Sequence, residues 1–141
     1  MPAGYSGTPL AKKLGFKPGF RASLVGEPAD FRAQLVDLPA GVEFLGARAG
    51  ELDLAMLFVG RARGLKTNFA KLAARVRPFG MLWVAWPKRA SGVATDVVFE
   101  TVQRVGLDAG LVDIKVCAID QVWTGLKFVV RLADRPKSAA K

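Results

Sequence analysis

Leu52-Asp53-Leu54-Ala55-Met56-Leu57-Phe58-Val59 is the stretch on which the fold turns. It is apolar almost throughout, broken only by Asp53, and of strand length. A run of this kind suits a parallel strand covered on both faces. A helix is predicted next, over 65–77, where Leu65, Phe69, Leu72, Ala73 and Val76 fall on one stripe. Pro78 and Gly80 close it, and 81–86 is a second covered strand. Strand, helix, strand in this order predicts a mostly parallel sheet with helices on its faces.

The pattern extends in both directions. Upstream, 20–25 reads as a strand stopped by Gly26. A helix is predicted to open at Pro28, with Phe31, Leu35 and Val36 at helical spacing and Pro39 and Gly41 closing it. Residues 42–45 make a short strand and 46–50 a loop. Before them, Thr8 is predicted to cap a short helix with Pro9 in its first position and Gly15 just past its end. Downstream, 87–92 is a polar loop. Thr95 is predicted to cap a helix whose positive N-terminal end suits Asp96 and whose stripe is Val98, Val102 and Val105. Gly106 and Gly110 mark its frayed end. Residues 111–119 alternate, as do Phe128, Val130 and Leu132, and 120–125 joins the two runs as a hairpin.

Together these elements predict one three-layer, Rossmann-like α/β domain over 1–133. Its mostly parallel sheet ends in an antiparallel hairpin, and 134–141 is a flexible basic tail.

The chain has 141 residues, enough for one self-supporting core, and is 51% hydrophobic. Its single cysteine, Cys117, forbids an intrachain disulfide and fits a reducing, cytoplasmic setting. Residues 1–14 lack the apolar core of a signal peptide, and no run reaches the length of a membrane span. Histidine is absent, which removes the commonest general base and the commonest metal ligand; no metal site is expected. Neither a paired carboxylate nor a nucleophile–base set is legible, so no catalytic residue is assigned. Cys117, between Val116 and Ala118, reads as a buried thiol.

The net charge is +9, with 21 Lys+Arg against 12 Asp+Glu, which points toward anionic ligands or partners, nucleic acid among them. Ligands of open α/β sheets bind beyond the carboxyl ends of the parallel strands. There the loop 87–95 gathers Lys88 and Arg89 with Ser91, Gly92 and Thr95, next to Trp86 at a strand end. These residue types can hold a phosphate or carboxylate. They equally suit an ordinary capped loop with two solvated cations. A second basic segment carries Arg61, Arg63, Lys66, Lys71, Arg75 and Arg77 without an acidic residue. It suits a polyanion, and also a solvated helix face. Lys12, Lys13 and Lys17 add a third group. Trp86, Trp123 and Tyr5 are candidates for stacking, with Trp86 and Trp123 expected to be partly exposed and Trp83 in the core. Asp113 and Lys115 on one strand, with Lys127 and Arg131 on the next, are expected to form cross-strand charge pairs.

The order of elements resembles the fold of S-adenosylmethionine-dependent methyltransferases, which ends in a helix and an antiparallel strand pair. The resemblance implies 20–25 as the central first strand and a strand order of 2-1-3-4-6-5. It also places a glycine-rich turn after the first strand and an acidic residue at the end of the second. This chain has Gly26-Glu27-Pro28-Ala29-Asp30 at the first place and Leu45-Gly46 at the second. One glycine remains, and Pro28 removes a donor N–H. No cofactor is therefore expected.

The runs 4–15, 82–88, 91–96, 110–118 and 123–127 further resemble a bacterial family of small proteins known as a domain of unknown function. That resemblance carries no site residue across. The leading expectation is a non-catalytic module that binds an anionic ligand or partner at the sheet edge. The alternatives are nucleic-acid binding through the basic surface and a methyltransferase with an altered cofactor turn. Two edge strands in need of protection leave a homodimer open.

Overall fold

A computed structural model of the chain describes residues 8–46 and 50–136. In chain order its elements are α1 (Leu10–Leu14), β1 (Arg21–Val25), β2 (Glu43–Phe44), β3 (Leu52–Phe58), α2 (Leu65–Ala73), β4 (Val76–Pro87), α3 (Phe99–Asp108), β5 (Leu111–Ala118) and β6 (Trp123–Val130). The strands form one six-stranded sheet in the order β2-β1-β3-β4-β6-β5. β1 to β4 are mutually parallel, and β6 runs antiparallel to both β4 and β5. This is the order that the resemblance implies.

β3 is the inner strand, and its near-continuous apolarity has the predicted cause. Leu54, Met56 and Phe58 enter one core with Ala11 and Leu14 of α1, Phe31, and Trp83. Leu52, Ala55 and Leu57 enter the other with Leu65, Phe69 and Leu72 of α2, Val102 of α3, and Phe128. α1 and α2 therefore lie on opposite faces of the sheet. Among the described residues no helix is long and apolar enough to cross a membrane.

Several elements differ from expectation. The helix predicted from Pro28 is a single 3-10 turn, Arg32–Gln34. Phe31 and Leu35 are buried as the spacing required, but Val36 is 78% exposed. Prolines at both ends leave too few residues to offset the cost of nucleating a helix, so two apolar anchors and one turn complete the crossover.

α2 ends at Ala73, and Val76 and Arg77 already belong to β4. α3 begins at Phe99 rather than at Thr95, so Val97, not Val98, is the buried residue at its entrance. Gly106 lies inside α3 and is buried, not frayed. β6 stops at Val130, and Leu132 is exposed in a closing 3-10 turn, Leu132–Asp134. The chain after it folds back, with Arg135 Nε donating to Val130 O at 2.8 Å. Tyr5, a stacking candidate, and the last five residues of the tail lie outside the described residues.

Candidate site at the carboxyl end of the central strands

Residues that follow β1, β3 and β4 meet at one edge. After β1 the chain turns at Gly26, whose φ is +72°, and a Cβ there would stand 2.8 Å from Phe58 O. Only glycine meets both conditions. Glu27 then pairs with Arg32 at 3.4 Å. The space beside the end of β1 is thus taken up by the backbone of β3, and no α-helix follows β1 to present its N-terminus. Neither feature resembles a glycine-rich cofactor turn.

The end of β4 is different. Trp86, Pro87, Arg89, Gly92, Val93, Ala94, Thr95 and 97–100 line a cavity of about 450 Å³. Its exposed lining is more polar than apolar. Arg89 is exposed at its mouth, and Glu100 in the first turn of α3 is its acidic member. The N-cap of α3 is Val98, with no side-chain cap, so the first N–H groups of the helix have no side-chain acceptor at the helix start.

The sequence-predicted residues separate here. Arg89, Gly92, Thr95 and Trp86 line the cavity. Lys88 does not; its backbone N–H donates to Val122 O at 2.7 Å and anchors the loop to the hairpin connection. Ser91 Oγ donates to Lys88 O at 2.7 Å and accepts from Val93 N–H at 3.1 Å, which shapes the 3-10 turn Arg89–Ser91. Thr95 is not the helix cap. Its hydroxyl donates to Gly60 O at 2.7 Å and accepts from Val97 N–H at 3.1 Å. Asp96 likewise accepts from Ala62 N–H at 2.7 Å instead of facing the helix end. The two polar side chains expected at the helix start, Thr95 as its cap and Asp96 at its positive end, therefore tie the β4–α3 loop to the β3–α2 loop. Trp86, expected at the surface, is 6% exposed and meets Phe99 edge-on with ring centres 6.4 Å apart. Trp123 is half-buried against Phe58 at 5.3 Å.

The second basic segment does not form a stripe. Lys66 and Lys71 are exposed on α2, but five residues apart they point about 140° from each other around the helix. Arg61 and Arg63 are exposed in the loop before it. Arg75 Nε donates to Gly50 O at 3.0 Å. Arg77 pairs with Asp53 at 3.2 Å and Glu51 at 3.6 Å, so it is neutralised at the sheet edge. Lys12 and Lys13 lie within α1 and Lys17 follows it, on the other face of the sheet, so they do not extend this segment.

The expected cross-strand charge pairs are absent among the described residues. Lys115 stands directly opposite Lys127, Asp113 accepts from Gln103 Nε2 at 3.2 Å, and Arg131 pairs with Asp134. Cys117 is a buried free thiol, as expected.

The sequence matches no protein-family model and no curated protein. Solved structures do match. A ribosomal protein L11 methylase from Lactobacillus delbrueckii subsp. bulgaricus aligns at a TM-score of 0.60 and 11% identity, over 86% of this chain and 75% of that one. Fibrillarin from Aeropyrum pernix, solved with S-adenosyl-L-methionine bound, aligns at 0.59 and 14% identity, over 85% and 73%. The O-methyltransferase of neocarzinostatin biosynthesis aligns at 0.62 and 10% identity, over 92% of this chain and 51% of that enzyme. Identities this low speak to architecture alone. The chain has the fold of S-adenosylmethionine-dependent methyltransferases: a single α/β domain with a six-stranded mixed sheet closed by an antiparallel hairpin.

Proposed function

We propose that this chain is a binding module rather than a methyltransferase. Its ligand is a small anion, a carboxylate or phosphate ester, held in the cavity at the end of β4. One observation carries the reading: Arg89 and the uncapped start of α3 open onto the same cavity of about 450 Å³. A guanidinium supplies a directional hydrogen-bonding fork for an oxyanion. A helix of ten residues presents free N–H groups and the positive end of its dipole. Trp86, Val97 and Phe99 line the cavity beside these groups. Glu100 opposes a second negative charge, which favours a monoanion. The filled space at Gly26 and the missing helix after β1 argue against adenosylmethionine.

Native mass spectrometry of gently purified protein tests this. A small bound mass is expected on the wild type, with affinity lowered about tenfold or more in Arg89→Glu, since a charge-assisted bond is lost and a repulsion added. A bare chain under all conditions, or a bound mass indifferent to Arg89→Glu, overturns the assignment. A bound mass equal to adenosylmethionine, or binding of S-adenosylhomocysteine at millimolar concentration, replaces it with a methyltransferase.

A further inference from the structure

Away from that cavity, three ammonium groups converge on the α1 face of the sheet. Lys115 of β5 and Lys127 of β6 are direct cross-strand partners, and Lys17 follows α1 beside them. Lys127 is half-buried. Its Nζ lies 3.7 Å from where a Cβ of Gly15 would stand, against the turn that ends α1. Lys115 Nζ donates to Lys13 O at 3.3 Å, which draws the second ammonium to the same helix.

The juxtaposition is built by a bulge. The register of β5 against β6 shifts between Asp113 and Lys115. Asp113 consequently faces α3, where Gln103 donates to it, while Lys115 faces α1. In a regular strand without the bulge, alternation would put residues 113 and 115 on one face.

Like charges placed directly opposite one another repel, and among the described residues no carboxylate pairs with them. All 12 acidic side chains of the chain lie within the described residues. Every ion pair among those residues that the geometry defines goes to an arginine: Glu27 to Arg32, Glu51 and Asp53 to Arg77, Asp134 to Arg131. Lys17, Lys115 and Lys127 have none. Burial, then Lys115 and Lys17, hold the Lys127 ammonium below the ordinary lysine value.

We propose that Lys17, Lys115 and Lys127 form an anion site for a phosphate group, independent of the cavity at the end of β4. A phosphate dianion matches a converging set of ammonium donors in charge and in acceptor number. It would convert the repulsion into attraction. The phosphate can be free or belong to a nucleic-acid backbone, and the experiment separates these.

The lysine ε-methylene signals of the intact protein are followed by NMR through pH 7–11, with and without inorganic phosphate. In its absence Lys127 titrates below its ordinary 10.5. The unfolded chain then holds that proton more tightly, so this group's contribution to stability rises as pH climbs through the lowered value toward 10.5. Phosphate is expected to raise the Lys127 midpoint and to shift the Lys17 and Lys115 signals in step. Lys115→Gln and Lys127→Gln should each weaken phosphate about tenfold, as loss of a charged hydrogen bond does. Each should also leave the unliganded protein no less stable, because a repulsion is removed.

If inorganic phosphate moves nothing but a short single-stranded oligonucleotide shifts the same three signals, with loss in both variants, the phosphate comes from a polymer. Unchanged lysine signals with both probes overturn the site, as does phosphate binding that survives both variants. Arg89→Glu should leave phosphate binding here intact, so failure of either site is read separately.

Discussion

Trp83→Ala is expected to cost about 3–5 kcal/mol, the range for deleting a fully buried aromatic. Trp83 is 0% exposed at the centre of β4, between Met56 of β3 and Lys127 of β6. Its ring fills the space over Gly125, where a Cβ would stand 3.1 Å from Cε3. It also makes a tertiary tie, because Nε1 donates to Leu14 O at 2.8 Å. α1 has five residues, too few to hold a helix alone in water. This bond and the burial of Ala11 and Leu14 keep it in place. Trp83→Phe separates the two roles. It keeps most of the packing but leaves the buried Leu14 carbonyl without its donor, an expected loss of about 1–3 kcal/mol. Urea denaturation gives both values. Hydrogen exchange should show the Phe variant losing protection mainly around α1, and phosphate affinity at Lys17, Lys115 and Lys127 should fall with it. A Phe variant as stable as wild type, with α1 equally protected, would show that the indole bond is incidental.

The sheet was legible in the sequence because apolar runs and their turn residues report burial directly. Leu52–Phe58 and the run before Pro87 could be little else. What failed was the assignment of polar residues to roles. Thr95 before an apolar run looks like a helix cap, yet a threonine that accepts from the N–H two residues on makes the same local pattern without a helix. Only the position of Gly60 O, contributed by a distant loop, decides between them. The 28–39 segment failed for a related reason. Phe31 and Leu35 are both core residues, and Phe31 packs edge-on against Phe58 at 4.8 Å, but two contacts four residues apart do not require the turns between them to be α-helical.

The candidate cavity was readable in part. Arg89, Gly92, Thr95 and Trp86 reach it, whereas Lys88 and Ser91 serve the loop's own geometry. The lysine cluster was not readable. Alternation predicts Asp113 and Lys115 on one face, and a single bulged residue places them on two. A one-residue change in register carries no signature in composition or periodicity.

Gly106→Ala is expected to destabilise the domain by about 2–3 kcal/mol, in the upper part of the overpacking range. The sign is the informative part. At an exposed helix position the same change would stabilise by roughly 0.5–1 kcal/mol, because alanine loses less backbone entropy. Here a Cβ would run into the ring of Phe128. That ring is 0% exposed and held edge-on against Phe69, with centres 5.2 Å apart and planes at 84°. It has no solvent side to turn toward, so either α3 or β6 must shift. Arg104→Ala, on the exposed side of the same helix, should change stability by less than about 0.5 kcal/mol and controls for propensity. Phe128→Leu in the Gly106→Ala background should be less harmful than the two single changes summed, because the smaller side chain relieves the contact. Thermal or urea unfolding of the four proteins measures the coupling. The contact also fixes how closely α3 approaches the sheet, and α3 carries Phe99 and Glu100 into the cavity at the end of β4. Displacing the helix should therefore weaken a ligand held by Arg89 without touching a cavity residue. Gly106→Ala that is neutral or stabilising would mean α3 rides loosely on β6, and the cavity would lose the rigid wall that makes it a binding site.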